Sequence, residues 1–403
     1  MKSLAVYYKK RTIANEAQDR SEQGENQTPD SPDNTTDNEQ KTEPGSKDEL
    51  HVNIWKVNEG RISLNSCFYL DIGLKVSFTY ESVKLYLPFA VVKQAQIDLC
   101  KTVMENRKLL CAIFNDEMLP TPQANPCFCK ATCQTEGAGN GADGTNCFYL
   151  YQVDDNNITI EGDGHEGQEG TWVTITMNGN PTNEENLDNY VNQQLYVRIR
   201  LKVANNDQFR ISESISNDLL QAAFSRTDLF DIRINEIREI DGKVLERMKT
   251  DGYSIMSFNK VHVFYITDTR ESVINGSSLK VDSRLLEKGH WEKYEPLNSL
   301  HNVHYVAHHW KRRRKEDDKG DIRSFSVFFS TQYPHLSKWR LLAYTSFVIL
   351  LGWMGSMLYI DLNSIPHDGH YKAIITIFLF VVIIIFLVKE NIGVQMLKIF
   401  RKR

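Results

Sequence analysis

From His51 onward, apolar and polar side chains alternate with the period of two that a half-buried strand requires. In "LKVSFTY", Leu74, Val76, Phe78 and Tyr80 share one face, and "SVKLYLPF" repeats the pattern with Val83, Leu85 and Leu87. The stretch "AVVKQAQIDLCKTVMENRKLLCAIF" breaks it. There Val92, Ala95, Leu99, Val103, Leu110 and Phe114 recur at spacings of three, four or seven, which predicts a helix that cannot continue through Pro120. Strand patterns resume in "CFYLYQV", "ITIEG", "WVTITM" and "QLYVRIRLKV", a short helix is expected over Asn217 to Ser225, and "LFDIRINEI" and "VHVFYIT" read as strands. "HYVAHHW" and "IRSFSVFF", joined by a charged loop, read as a hairpin. The pattern predicts a mostly β, antiparallel sandwich-like body with a few helices over residues 51–336, and leaves open a division near the Cys- and Gly-rich insert 121–147.

Two apolar runs near the C-terminus follow neither period. Leu341 to Ile360 is twenty residues without a charge, and Tyr371 to Val388 carries only Lys372. Each is long enough to span the roughly 30 Å of a bilayer core as a helix, so residues 337–388 are expected to form a transmembrane helical hairpin. Lys338 and Arg340 precede the first run, and Lys389, Lys398, Arg401, Lys402 and Arg403 follow the second, whereas the loop Asp361 to His370 has neither Lys nor Arg. By the positive-inside bias, both termini should be cytoplasmic and the protein a multi-pass resident of the inner, plasma membrane, with 389–403 as a basic cytoplasmic tail. Four N-x-[ST] sequons argue the other way, though chance matches are expected in an Asn-rich chain.

The remaining segments differ in composition. Residues 1–13 form a basic arm that reads either as a frayed terminus or as an edge strand docked on a sheet. Residues 14–50 are acidic and nearly free of large apolar side chains, which predicts a disordered linker. The formal net charge of -5 sums over these unlike parts and says little about partners.

Among candidate sites, Cys127, Cys129, Cys133 and Cys147 could supply four thiolates to a zinc ion, although C-x-C-x3-C lacks the usual paired knuckles and a reduced loop with spare thiols is the simpler alternative. "EGAGNGADGTN" lacks the Lys-Ser or Lys-Thr of a phosphate loop, and "EGDGHEGQEG" misses the calcium-loop spacing. His301, His304, His308 and His309 suit a polar strand edge, with pH sensing as the alternative. No nucleophile elbow, zinc-protease or kinase signature is present, so a non-enzymatic role is expected.

The sharpest pattern is "LYVRIRLKV". Val197, Ile199, Leu201 and Val203 point one way, and Arg198, Arg200 and Lys202 form a row of cations on the other face, about 6.5 to 7 Å apart. Such a row suits an anionic nucleotide or oligonucleotide; a solvated face balanced by neighbouring acids is the alternative. In the first apolar run, Gly352, Gly355 and Ser356 are small residues that would let helices pack closely in a homo-oligomer.

A β-rich body followed by "WRLLAYTSFVILLGWMGSMLYI", a short loop and "AIITIFLFVVIIIFLV" resembles the two-helix membrane effectors of bacterial anti-phage defence systems. The resemblance implies a soluble sensor of a nucleotide signal whose helices assemble in the lipid bilayer as a pore or disrupting assembly. The rival expectation is a membrane-anchored adaptor that recruits a protein partner, encoded nearby, through the disordered arm or a sheet edge.

Overall fold

The computed structural model describes residues 3–11, 46–58, 66–92, 97–134, 147–162, 170–182, 190, 192–213, 225–291, 293–294, 296, 304–314, 320–334, 345–346, 348–353 and 355–356. The chain divides into two units, Met1–Ser214 with Arg226–Pro334, and Ile215–Ser225 with His335–Arg403.

The first unit is mostly β. Its ten-stranded sheet runs β17 (Val281–Leu285), β18 (Tyr305–Arg313), β15 (Lys260–Asp268), β2 (Glu49–Asn58), β3 (Ser66–Ser77), β11 (Gln194–Lys202), β8 (Cys147–Tyr151), β7 (Phe128–Cys133) and β6 (Met118–Pro122), with β5 (Ile97–Asp98) beside β11. A five-stranded sheet has the order β14 (Ser254–Ile255), β1 (Ala5–Lys10), β4 (Tyr80–Leu87), β10 (Thr171–Thr176), β9 (Ile158–Gly162). A four-stranded sheet has the order β12 (Ile211–Glu213), β13 (Ser225–Ile234), β19 (Phe325–Pro334), β16 (Ser272–Asn275). Pairing is largely antiparallel, with β2–β15 and β8–β11 parallel.

Alternation explains the layering. On β2, Leu50, Val52 and Ile54 face the same way and join Ile72, Val197 and Val263 of neighbouring strands in one core. That core also takes Val6, Val83 and Val173 from the five-stranded sheet and Phe230, Val327 and Phe329 from the four-stranded sheet. Each such burial contributes about 1.5–3 kcal/mol. The two small sheets therefore cover one face of the large one. Its other face carries α1 (Cys100–Met104), α2 (Arg107–Phe114) and the turn of helix Lys288–Trp291, packed through a second apolar cluster.

Several expectations change here. The helix predicted up to Phe114 is two short helices, because Asn106 is extended and caps α2 by accepting from Leu109 N at 3.2 Å. The basic arm is no frayed end. β1 lies between β14 and β4, with Ala5, Val6 and Tyr7 buried, and the helix Gly242–Thr250 covers its outer face. The insert 121–147 is no boundary either, since β6 and β7 extend the large sheet and lie in the same unit. β18 and β19 do not form a hairpin; they belong to different sheets. The linker ends before Ser46, whose N donates to Asp321 Oδ2 at 3.0 Å, and residues 14–45 lie outside the described residues. So does the helix expected over 217–225, apart from Ser225, which opens β13.

The membrane localisation is also overturned. Among the described residues, no helix is long and apolar enough to cross a membrane. The described helical positions of the first apolar run fall between 345 and 356, and the rest of that run lies outside the described residues. The second run, the loop before it and the basic tail lie outside the described residues. Ser356 Oγ donates to its own helix at Gly352 O, 3.0 Å away, and a Cβ at Gly352 or Gly355 would meet nothing within 4 Å.

Candidate functional site

The helix-covered face of the large sheet is polar along its middle. Cross-strand register places His51 beside Gly73 and His262, Asn53 beside Asp71 and Phe264, and Arg198 and Arg200 opposite Gly73 and Asp71. Arg198, Arg200 and Lys202 do share one face, as the alternation predicts. That face is not solvated. Arg198 and Arg200 are 1% and 2% exposed, because the Trp291–Tyr294 segment lies over them.

The row of cations is therefore not a row of equivalents. Arg200 is closed off. Its Nε and Nη2 donate to the two oxygens of Asp71 at 2.6 and 2.8 Å, its Nη1 donates to Tyr294 O at 2.7 Å, and Trp55 Nε1 donates to the same carboxylate at 2.8 Å. Lys202 is half-buried, with Nζ 5.7 Å from the Tyr69 ring centroid. Only Arg198 keeps capacity for a ligand. Its Nε donates to Tyr294 Oη and its Nη1 to Tyr196 Oη at 2.6 Å, while Nη2, fully buried, has no partner among the described residues. Tyr196 Oη lies 3.3 Å from His51 Nδ1, and burial holds His51 well below the usual histidine range, so the ring is neutral and can accept that proton.

Gly73 makes this arrangement possible. A Cβ there would collide with Tyr196 Oη and stand 3.0 Å from Arg198 Nη1. The two side chains lie across its bare backbone. Gly73→Ala is expected to cost about 1–3 kcal/mol by overpacking and to displace the guanidinium; a urea melt matching the parent would show that the space gives freely.

Arg198 lines a small cavity of about 20 Å³. Two further buried atoms without a partner among the described residues belong to residues lining it: Asn53 Oδ1 and Trp291 Nε1. Asn53 and Trp291 are 5% and 4% exposed. Phe264, Ile266 and Leu286 supply apolar walls, and Ala112 and Ile113 of α2 line it further. Arg284 is exposed and donates from Nη2 to Ala112 O at 3.1 Å. Unpaired buried polar atoms are rare and each is costly. Three of them belong to residues that line one cavity, Arg198 among them.

The cysteine set does not assemble. Cys129 and Cys133 face the helix-covered side, Cys127 packs on the opposite core, and Cys147, paired with Thr132, points away from Cys129 and Cys133. The Cys133 thiol donates to Asp116 Oδ2 at 3.0 Å and that of Cys147 to Gln193 Oε1 at 3.6 Å. Alternating strand positions separate ligands that sequence spacing suggested were neighbours. Among the described residues no group of three or more potential metal ligands gathers.

His308 and His309 lie on β18, which is not the expected polar edge but sits between β17 and β15, and His304 precedes the strand. His309 stacks on Phe264 at 4.0 Å, and its Nε2 is 3.0 Å from His262 Nδ1, next to His51. Burial lowers His262 to about 4 and His309 to about 3, with Lys260, Lys311 and the neighbouring ring adding to the effect. His301 lies outside the described residues. Sequence reasoning missed His51, Asn53, Gly73 and Trp291. The legible signal was "ELHVNIW", where Glu49, His51 and Asn53 are polar on the face opposite Leu50, Val52 and Ile54. No protein-family model and no curated protein matches the chain.

Proposed function

We propose that the first unit is a ligand-binding module that captures an anionic group, a carboxylate or a phosphate, at Arg198, without catalysing a reaction on it. The observation that carries this reading is that Arg198, Trp291 and Asn53 line one cavity and each holds a buried polar atom without a partner, in the case of Arg198 on a guanidinium that hydrogen-bonds no carboxylate among the described residues. Asp71 is committed to Arg200. Asp71 favours the Arg198 charge without hydrogen-bonding it, and an incoming anion would add the charge-assisted bond that Nη2 lacks. A cavity of about 20 Å³ is close to the room for one water molecule, so an anion reaches Arg198 only as the cavity walls move apart.

Arg198→Met supplies the test, because it should separate stability from binding. Without ligand, the variant is expected to be as stable as the parent or up to about 3 kcal/mol more stable, since a buried charge is replaced by a hydrophobe of similar length. Titration of the full chain with inorganic phosphate and with propionate should raise the parent's melting temperature and leave the variant's unchanged. Equal anion responses in the two proteins would overturn the assignment.

A further inference from the structure

Beyond His51 on the same face of the large sheet, three rings lie nearly parallel across β15 and β18. The His309 ring stands 4.0 Å from that of Phe264 with 7° between their planes, and 5.2 Å from that of His262 with 13°. Register explains the cluster: His309 pairs with Phe264, and His262 is two residues earlier on β15, so alternation turns all three to one side. Burial, reinforced by Lys311, keeps both imidazoles uncharged at neutral pH. Each of the three rings belongs to a half-buried residue that stays in part open to solvent.

Cations border these rings. Alternation puts Lys311 and Arg313 on the His309 side of β18, and Lys260 on the His262 side of β15, at steps of about 7 Å along each strand. The Lys311 side chain is 61% exposed and lies 3.6 Å from Asp282. Lys260 lies 2.8 Å from Glu49. Arg313 is exposed, and among the described residues no carboxylate forms an ion pair with it. Arg284, exposed on β17, adds a further positive charge.

From this juxtaposition we propose that the β15–β18 surface binds single-stranded nucleic acid, its rings stacking on a base while Lys260, Lys311 and Arg313 meet neighbouring phosphates. Stacking on any base and pairing with any phosphate need no particular sequence, so the surface is sequence-tolerant. A duplex keeps its bases stacked on one another and offers the rings no free face. A lipid surface finds no apolar anchor here, since none of the exposed large apolar side chains lies on β15 or β18. Arg198 takes no part, so this inference is independent of the anion site.

Fluorescence anisotropy of the full chain with a labelled single strand of about twelve nucleotides tests the proposal. Binding is expected to weaken with salt at a log–log slope of about -2, the value for three phosphate contacts on a single strand. A strand of equal length made of abasic residues carries the same charge without bases and should bind about tenfold more weakly; so should a duplex. Lys311→Gln combined with Arg313→Gln should bring the slope to about -0.7, and because both side chains are exposed the variant should melt with the parent. His309→Leu should erase the preference for the strand over its abasic counterpart. Arg198→Met should bind the strand as the parent does, so a failed anion titration at Arg198 leaves this result standing. Equal affinity for the abasic and the ordinary strand, or parental binding by the double glutamine variant, would overturn the proposal. Phosphatidylserine vesicles that bind where the strand does not would overturn it in favour of a lipid surface.

Discussion

Lys56→Met is expected to destabilise the first unit by about 3–5 kcal/mol, the usual cost of removing one partner from a buried ion network. Lys56 is 3% exposed on β2, and its ammonium lies 2.8 Å from Glu271 Oε1, 3.2 Å from Asp228 Oδ2 and 3.5 Å above the Tyr333 ring centroid. Arg210 also donates to Asp228, Ser212 Oγ donates to its other oxygen at 2.6 Å, and Tyr265 Oη and Thr267 Oγ1 donate to Glu271 at 3.0 and 2.5 Å. The network joins β2 and β15 of the large sheet to β12, β13 and β19 of the four-stranded one. Two cations face two carboxylates, so its charges balance, although Arg210 Nε is buried without a partner among the described residues, and its role is to hold the layers in register. Methionine would fill the space but leave Glu271 with hydroxyl donors alone among the described residues. Equilibrium urea unfolding checks the value, and Glu271→Gln in the Lys56→Met background should restore part of the loss, as coupled neighbours do. A single-variant loss below about 1 kcal/mol would mean that water enters the network freely.

The second large effect is acid sensitivity set by the buried histidines. His262 is lowered to about 4 and His309 to about 3 by burial, and His51 lies well below its usual range for the same reason. A histidine depressed in the folded state contributes stability that is present above its unfolded pKa near 6.5 and is lost as pH falls towards the folded value. His262 alone accounts for roughly 3 kcal/mol between pH 6.5 and 4. The charged groups around the cluster are Glu49 on β2, Lys75 on β3, Lys260 on β15, Asp282 and Arg284 on β17 and Lys311 on β18, of which the cations outnumber the acids and reinforce the depression. Asp48 acts in the opposite sense. Burial raises it to about 6, and raises Asp98 to about 6 as well, so their contribution is present below pH 3.8 and is lost as pH rises through 6. The three lowered histidines outnumber these two carboxylates, and the melting temperature should fall on acidification from pH 7 to 4. His262→Asn combined with His309→Asn should flatten that limb by more than half; an unchanged limb would assign the acid loss to other groups.

Much of the fold was legible because strand periodicity is local. The alternation in "LKVSFTY" and "SVKLYLPF" belongs to β3 and β4, with Leu74, Val76, Val83 and Leu85 all in the main core. The helix over 92–114 was misread because its apolar spacing survives the extended break at Asn106. The arm at β1 and the placement of β18 and β19 in separate sheets depend on pairing partners far away in sequence, such as Tyr7 with Lys84 and with Ile255. No local pattern encodes those choices.

The site shows the same division. Sequence alone determined that Arg198, Arg200 and Lys202 share a face, since a pleated strand allows nothing else. Only tertiary structure decided what that face meets. Asp71 arrives from β3 to neutralise Arg200, Gly73 leaves room for Arg198 to lie flat, and Asn53 of β2 and Trp291, 93 residues beyond Arg198 in the chain, line the same cavity as Arg198. Charge pattern is a property of one strand, whereas neutralisation and desolvation are properties of its neighbours.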